Sequence, residues 1–312
     1  MKLTKIRKIG QEVPAIIVGC MRQAGFTDHP FDAQQMNHFI HTAVENGAIY
    51  FDHADIYGLG RSETVFGEAL ALSPSSLQRE NLIIQSKCGI RQGCFDSSGE
   101  HILEAVDGIL GRLQTEYLDV LLLHRPDALI EPEEVAEAFD RLYKTGKVRH
   151  FGVSNYTPGQ IALLQKYLKQ DLVVNQMECS IVHSGMIAFG IEANMTSQGS
   201  FDHDGGILDY CRLNEITLQA WSPFQISLHE GSFIDNPEYP ELNEKLGELS
   251  EKYGTSKAGI SLAWLLRHPA GMQVLIGTSK EERLIQLIRA SEITLSREEW
   301  YALYLAAGHI LP

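Results

Sequence analysis

The chain has 312 residues, 44% of them hydrophobic, enough to bury a large core. Its formal charge of −14 disfavours nucleic acid and anionic membranes as partners, so an anionic ligand needs a local basic pocket. Five cysteines without a C-x-x-C pair, no apolar leader in "MKLTKIRKIGQEVP" and no run of about 18 apolar residues indicate a reduced cytoplasmic setting.

In chain order, "KLTKIRKIGQEVPAI" reads as a β-hairpin ahead of the first buried strand. Eight short apolar runs follow: Ala15–Gly19, Ile49–Asp52, Leu82–Lys87, Leu118–His124, Val148–Asn155, Leu172–Gln176, Ile216–Ser222 and Met272–Thr278. Amphipathic segments separate them. Glu131-Pro132 opens one helix, and Thr157-Pro158-Gly159-Gln160 is a capping box with proline at the first helical position. Ile161, Leu164, Tyr167 and Leu168 then share a helical face. Ser279-x-x-Glu282 and Ser296-x-x-Glu299 repeat the capping pattern near the end.

Continuously apolar strands are what a parallel sheet buried on both faces requires. Eight strand–helix units predict one α/β domain over residues 1–312: a (β/α)8 TIM barrel with an N-terminal β-hairpin and extra C-terminal helices. A doubly wound dinucleotide fold is the alternative. It lacks a G-x-G-x-x-G after any strand, "GLG" at Gly58–Gly60 being a fragment.

Nearly every apolar run ends in a polar residue: Asp52, Lys87, His124, Asn155, Gln176, Ser222 and Thr278. Burial penalises such groups unless they are paired, and a parallel barrel gathers its C-terminal strand ends on one rim. Asp52, Lys87 and His124 end neighbouring strands, and Tyr57 lies in the loop after Asp52. A buried Lys87 ammonium is expected to lower the Tyr57 pKa, with Asp52 holding the lysine charged. Tyr57 then exchanges a proton with an alcohol or alkoxide, and His124 orients the substrate oxygen. The set suits carbonyl/alcohol interconversion but supplies no hydride, so a cofactor is needed. Asn155 and Gln176 offer the donors and acceptors that match a carboxamide. Strand alternation points His53 away from Asp52, towards packing, and Asp55 reads as a turn or capping residue.

These residues resemble the aldo/keto reductase family. Its D-x-x-x-x-Y-G signature is matched from Asp52 to Gly58, its lysine by "IIQSK" and its histidine by "LDVLLLH". "FDHADIYG", "SKCGI", "HRPD", "GKVRHFGVSN" and "AWSP" are most similar to the bacterial NADPH-dependent oxidoreductase branch. The resemblance implies an NAD(P)H-dependent enzyme acting on a small carbonyl, aldehyde or ketone, with Tyr57 as acid/base beside Asp52, Lys87 and His124. It implies that Ser154, Asn155 and Gln176 bind the nicotinamide amide and that Trp221 stacks on the ring. Ser222, Pro223 and Phe224 fall in the pyrophosphate segment, and Gly19 and Met21 belong to the same cofactor set. Gly277, Thr278, Ser279, Lys280, Arg283 and Gln286 face the adenosine end. The basic cluster at Lys280 and Arg283, at a helix start, favours NADPH over NADH.

Two positions depart from the family pattern: Gly277 stands where many members have lysine, and Leu287 where many have asparagine. No metal is implied, and a monomer is the default state. Two other functions remain open: an NADP(H)-binding regulatory subunit with little turnover, or a metal-dependent hydrolase barrel using Asp52, His53 and His124.

Overall fold

The computed structural model describes residues 1–311 apart from Phe26, Pro74 and Leu228. Eight parallel strands close a barrel in chain order. They are β1 (Ile16–Gly19), β2 (Tyr50–Asp52), β3 (Ile83–Cys88), β4 (Leu118–Leu123), β5 (Val148–Ser154), β6 (Leu172–Glu178), β7 (Thr217–Trp221) and β8 (Gln273–Ile276). Strand β8 pairs back onto β1 through Val274 and Ile16, and every boundary lies within two residues of an apolar run.

The pleat divides the strand side chains between two cores. Phe51, Ile84, Leu121, Leu123, Phe151 and Val153 face outward under the helices. Ile17, Tyr50, Ile83, Val120, Leu122 and Val174 fill the barrel with Ile6 and Val13 of the hairpin Leu3–Ile6/Gln11–Pro14. The hairpin therefore plugs the barrel floor, each fully buried aliphatic side chain contributing about 1.5–3 kcal/mol. The upper interior is not apolar. Gln85, Gln176 and Gln219 are buried there, with Gln273 nearer the floor, and of the four only Gln176 ends an apolar run.

Helix starts follow the local chemistry at most positions. Pro132 opens Pro132–Lys144, and Gln160 Oε1 accepts from Thr157 N at 2.9 Å. Ser296 and Glu299 cap each other reciprocally at 3.2 and 2.7 Å. The expected box at Ser279 does not form. There Lys280 N donates to Thr278 Oγ1 at 3.1 Å, and helix Glu281–Ala290 starts with Lys280 as its N-cap.

Pro240–Tyr253 and Arg297–Ala306 are the additional C-terminal helices. Trp300 stacks on Trp264 at 4.7 Å, and each indole N–H donates to the other's carbonyl at 3.0 Å. Among the described residues no helix is long and apolar enough to cross a membrane.

Candidate active site

Strand alternation places Asp52 of β2, Lys87 of β3, Gln176 and Glu178 of β6, and Trp221 of β7 in phase towards the barrel axis. Lys87 is fully buried at the end of β3. Its Nζ donates to Asp52 Oδ2 at 2.6 Å, to the His53 carbonyl at 2.8 Å and to the Tyr57 hydroxyl at 3.1 Å. The Tyr57 and His124 rings meet edge-on with centroids 5.9 Å apart. The four residues named from strand ends and the β2 loop thus share one corner.

Tyr57 reaches that corner because the loop after β2 folds back sharply. Gly58 has φ +59°, and a Cβ there would lie 2.6 Å from Gly25 Cα. Asp52 is held on its other side by two carboxamides. Gln85 Nε2 and Gln176 Nε2 donate to Oδ1 at 2.6 and 3.0 Å.

A second group adjoins the first. Ser154 Oγ donates to the Gln176 carbonyl at 3.0 Å, and Asn155 Nδ2 donates to Ser154 Oγ at 2.9 Å. Trp221 Nε1 donates to Asn155 Oδ1 at 3.2 Å, and Asn155 holds a left-handed backbone with φ +62°. Ser154, Asn155, Gln176 and Trp221 are therefore brought together, although Gln176 Nε2 is committed to Asp52 and Gln219. Ser222 Oγ donates to Gln225 Oε1 at 2.8 Å, so Pro223 and Phe224 sit in a turn leading into a short hairpin, Gln225–Ser227/Gly231–Ser232.

Farther along the rim, Gly19 pairs with Asp52 across β1 and β2, and Met21 opens the short helix Met21–Ala24. Gln23 of that helix donates to the Thr278 carbonyl at 3.0 Å, tying it to the segment after β8. Gly277 and Ser279 are exposed beside it. Lys280, Arg283 and Gln286 line a cleft of about 720 Å³ with Tyr253, Thr255 and Arg289.

Residues 15–304 match the family model described as "Aldo/keto reductase family". The chain belongs to the aldo/keto reductase family. It is 37% identical to the uncharacterized oxidoreductase YcsN of Bacillus subtilis, covering 90% of this chain and 91% of that protein. With the oxidoreductase YdhF of Escherichia coli it shares 34% identity over 97% of both chains. The crystal structure of an aldo-keto reductase from Klebsiella pneumoniae in complex with NADPH superposes with a TM-score of 0.76. It is 23% identical, over 100% of this chain and 96% of that one, and shares the fold.

Electrostatics in this aldo/keto reductase corrects one expectation. Burial raises the Tyr57 pKa by more than Lys87 lowers it, so the phenol is held above its ordinary range rather than below. Burial also pulls on Lys87, but Asp52 and Tyr57 outweigh it and keep the ammonium above its usual range. His124 is pushed well below 6.5 by burial, then by Lys87 and Arg125, and is a neutral imidazole. Its Nδ1 is buried without a partner.

His53 faces outward as expected, edge-on to Phe66 at 4.6 Å, and burial followed by Lys87 pushes it down to about 3. Asp52, His53 and His124 therefore do not converge on one point. Among the described residues no three His, Cys, Asp or Glu side chains are grouped to hold a metal.

Asp55 lies in the turn after β2, as expected, but its carboxyl is more than a turn group. Its amide donates to the Lys87 carbonyl at 3.0 Å, Oδ1 is buried without a partner, and burial with nearby Glu63 pushes the carboxyl up to about 7. Glu63, fully buried behind it, accepts from Ser86 Oγ at 2.6 Å and Arg112 Nε at 2.8 Å.

Arg125, Glu178, Gln85 and Gln219 were not singled out from the sequence, yet all border the site. Arg125 lies 5.7 Å from the Trp221 ring centroid, and Glu178 pairs in register with Trp221. The missed signal was alternation: Gln85, Glu178 and Gln219 stand two residues from Lys87, Gln176 and Trp221. Cys20, Cys88, Cys179 and Cys211 are buried and Cys94 is exposed. Burial pushes the Cys179 and Cys211 thiols up to about 12 and those of Cys20 and Cys88 well above their usual range.

Proposed function

We propose that this protein is an NADPH-dependent oxidoreductase interconverting small aldehydes or ketones and alcohols, with Tyr57 as general acid/base. The observation that carries this reading is the fully buried Lys87 ammonium shared by Asp52 at 2.6 Å and the Tyr57 hydroxyl at 3.1 Å. An acid that stays protonated until a charge develops beside it is what carbonyl reduction needs, and the raised Tyr57 pKa provides it.

The donor set fits a phosphorylated dinucleotide. Trp221, Ser154 and Asn155 offer an aromatic face and amide partners beside Tyr57 and His124. Lys280 and Arg283 line the cleft at the other end of the rim. Glu281 and Glu282 occupy the first helical turn there, so phosphate binding depends on those two cations more than on the helix dipole. The dinucleotide, when bound, supplies the hydride.

The chain's own residues do the rest. His124, a neutral imidazole, orients the carbonyl oxygen, and Tyr57 delivers its phenolic proton to the developing alkoxide. Lys87 stabilises the phenolate left behind, and Asp52 holds Lys87 in place and charged. The same groups run the reverse reaction, and residues 1–312 act as one unit.

The test is NADPH consumption with a panel of aldehydes and ketones, run on the wild type and Tyr57→Phe. The variant should lose about 10²–10⁴-fold in kcat, the usual worth of a general acid, while NADPH binding stays unchanged. A fully active Tyr57→Phe would sink the mechanism.

A further inference from the structure

Four buried glutamines link the floor of the barrel to Asp52. Gln273 Nε2 donates to the Pro14 carbonyl at 2.9 Å, where the N-terminal hairpin closes the barrel. Gln273 Oε1 accepts from Gln219 Nε2 at 3.1 Å. Gln219 Oε1 in turn accepts from both Gln85 Nε2 at 2.9 Å and Gln176 Nε2 at 3.1 Å. Those same two nitrogens are the pair that donates to Asp52 Oδ1. Tyr50 OH completes the set by donating to Gln85 Oε1 at 2.9 Å.

The direction of this chain is fixed at both ends, since the Pro14 carbonyl and the Asp52 carboxylate only accept. A backbone carbonyl only accepts, so Gln273 must present its nitrogen to Pro14 and its oxygen to Gln219. Gln219 then gives its nitrogen to Gln273, with longer contacts of 3.3 Å to both Tyr50 OH and Gln85 Oε1, and its oxygen to the amides above. That oxygen selects the nitrogens, not the oxygens, of Gln85 and Gln176 as the atoms facing the rim. Every amide flipped together would place Gln273 Oε1 against the Pro14 carbonyl, two acceptors in a site without water access, which burial penalises.

We propose that Gln219 and Gln273 are positioning residues: together with Asp52 they hold the interior amides in the single polarity in which donors, never acceptors, meet its carboxylate. Asp52 then has Oδ1 filled by two amides and presents Oδ2 to Lys87 in a single orientation, which fixes Nζ against Tyr57. Neither glutamine makes a hydrogen bond to Tyr57, Lys87 or His124. This inference rests on the proposed roles of Tyr57, Lys87 and Asp52.

The experiment compares Gln273→Met, Gln219→Met, the double variant and Tyr57→Phe in NADPH-dependent benzaldehyde reduction. Thermal melts confirm that each is folded. Each single glutamine variant should lower kcat about tenfold, with KM for benzaldehyde and NADPH affinity within about twofold. The double variant should lose no more than Gln219→Met alone, because Gln273 acts only through Gln219. Losses that multiply, or singles with kcat within about twofold of wild type, would overturn the proposal. Side-chain amide NMR reads the relay without turnover. In Gln273→Met the Gln85 and Gln176 signals should move together, and signals that stay fixed would also overturn it. An active Tyr57→Phe with shifted amides would instead overturn the proposed acid and leave the relay standing.

Discussion

Replacing Lys87 by methionine keeps the aliphatic stem and removes three donated hydrogen bonds, to Asp52, the His53 carbonyl and Tyr57. Asp52, 1% exposed, is left as a buried carboxylate without its counter-charge. Breaking one side of a buried ion pair costs about 3–5 kcal/mol. The lower end applies, because Gln85 and Gln176 still donate to Oδ1. The rate loss has a separate origin. A charge-assisted hydrogen bond to the developing phenolate is worth about 1.5–3 kcal/mol, or about 10- to 150-fold in kcat.

Asp52→Asn in the same chain separates the two effects. It neutralises the orphaned carboxylate, so urea unfolding should show recovery of about 2 kcal/mol or more relative to Lys87→Met alone. The lost rate should not return, since no cation faces Tyr57. A double variant as unstable as the single, or one that regains wild-type kcat, would refute the assignment of Lys87 to both roles.

Asp55 offers a pH test. Its folded value of about 7 lies above the ordinary carboxyl range, so the native state binds the extra proton. Its favourable contribution is complete below about pH 4 and is lost as pH rises through about 7. Asp55→Asn should therefore raise Tm by about 2–6 °C at about pH 8.5 and by almost nothing at about pH 4. A gain that does not depend on pH contradicts the burial argument. At the far end of the rim, replacing Lys280 and Arg283 together by alanine should weaken NADPH binding about tenfold or more. NADH should change less than about threefold in the same fluorescence titration, and equal weakening of both would dismiss the phosphate role.

The sequence disclosed the barrel because its strands are short apolar runs at regular spacing, each ended by a polar group. It disclosed the catalytic corner for a related reason: Asp52, Lys87 and His124 break the apolar pattern at the rim. What it hid lies where pattern is weak. Gln85 and Gln219 sit inside apolar runs and look like interruptions until the barrel brings them within 2.9 Å. The sign of the Tyr57 shift depended on how much water three neighbouring strands exclude, which spacing does not carry. The Ser279 box failed because the helix starts one residue later than that spacing requires, with Lys280 as its N-cap and Thr278 Oγ1 accepting the Lys280 amide.

The distribution of thiols gives the molecule a natural handle. Cys94 is exposed on the small hairpin Ile90–Arg91/Cys94–Phe95, just past the end of β3 that carries Lys87, and the other four cysteines are buried. Burial keeps those four protonated and shielded from an electrophile. A maleimide dye added to the folded wild type therefore attaches at one known point, on the hairpin after β3. A single-site label needs no engineered cysteine.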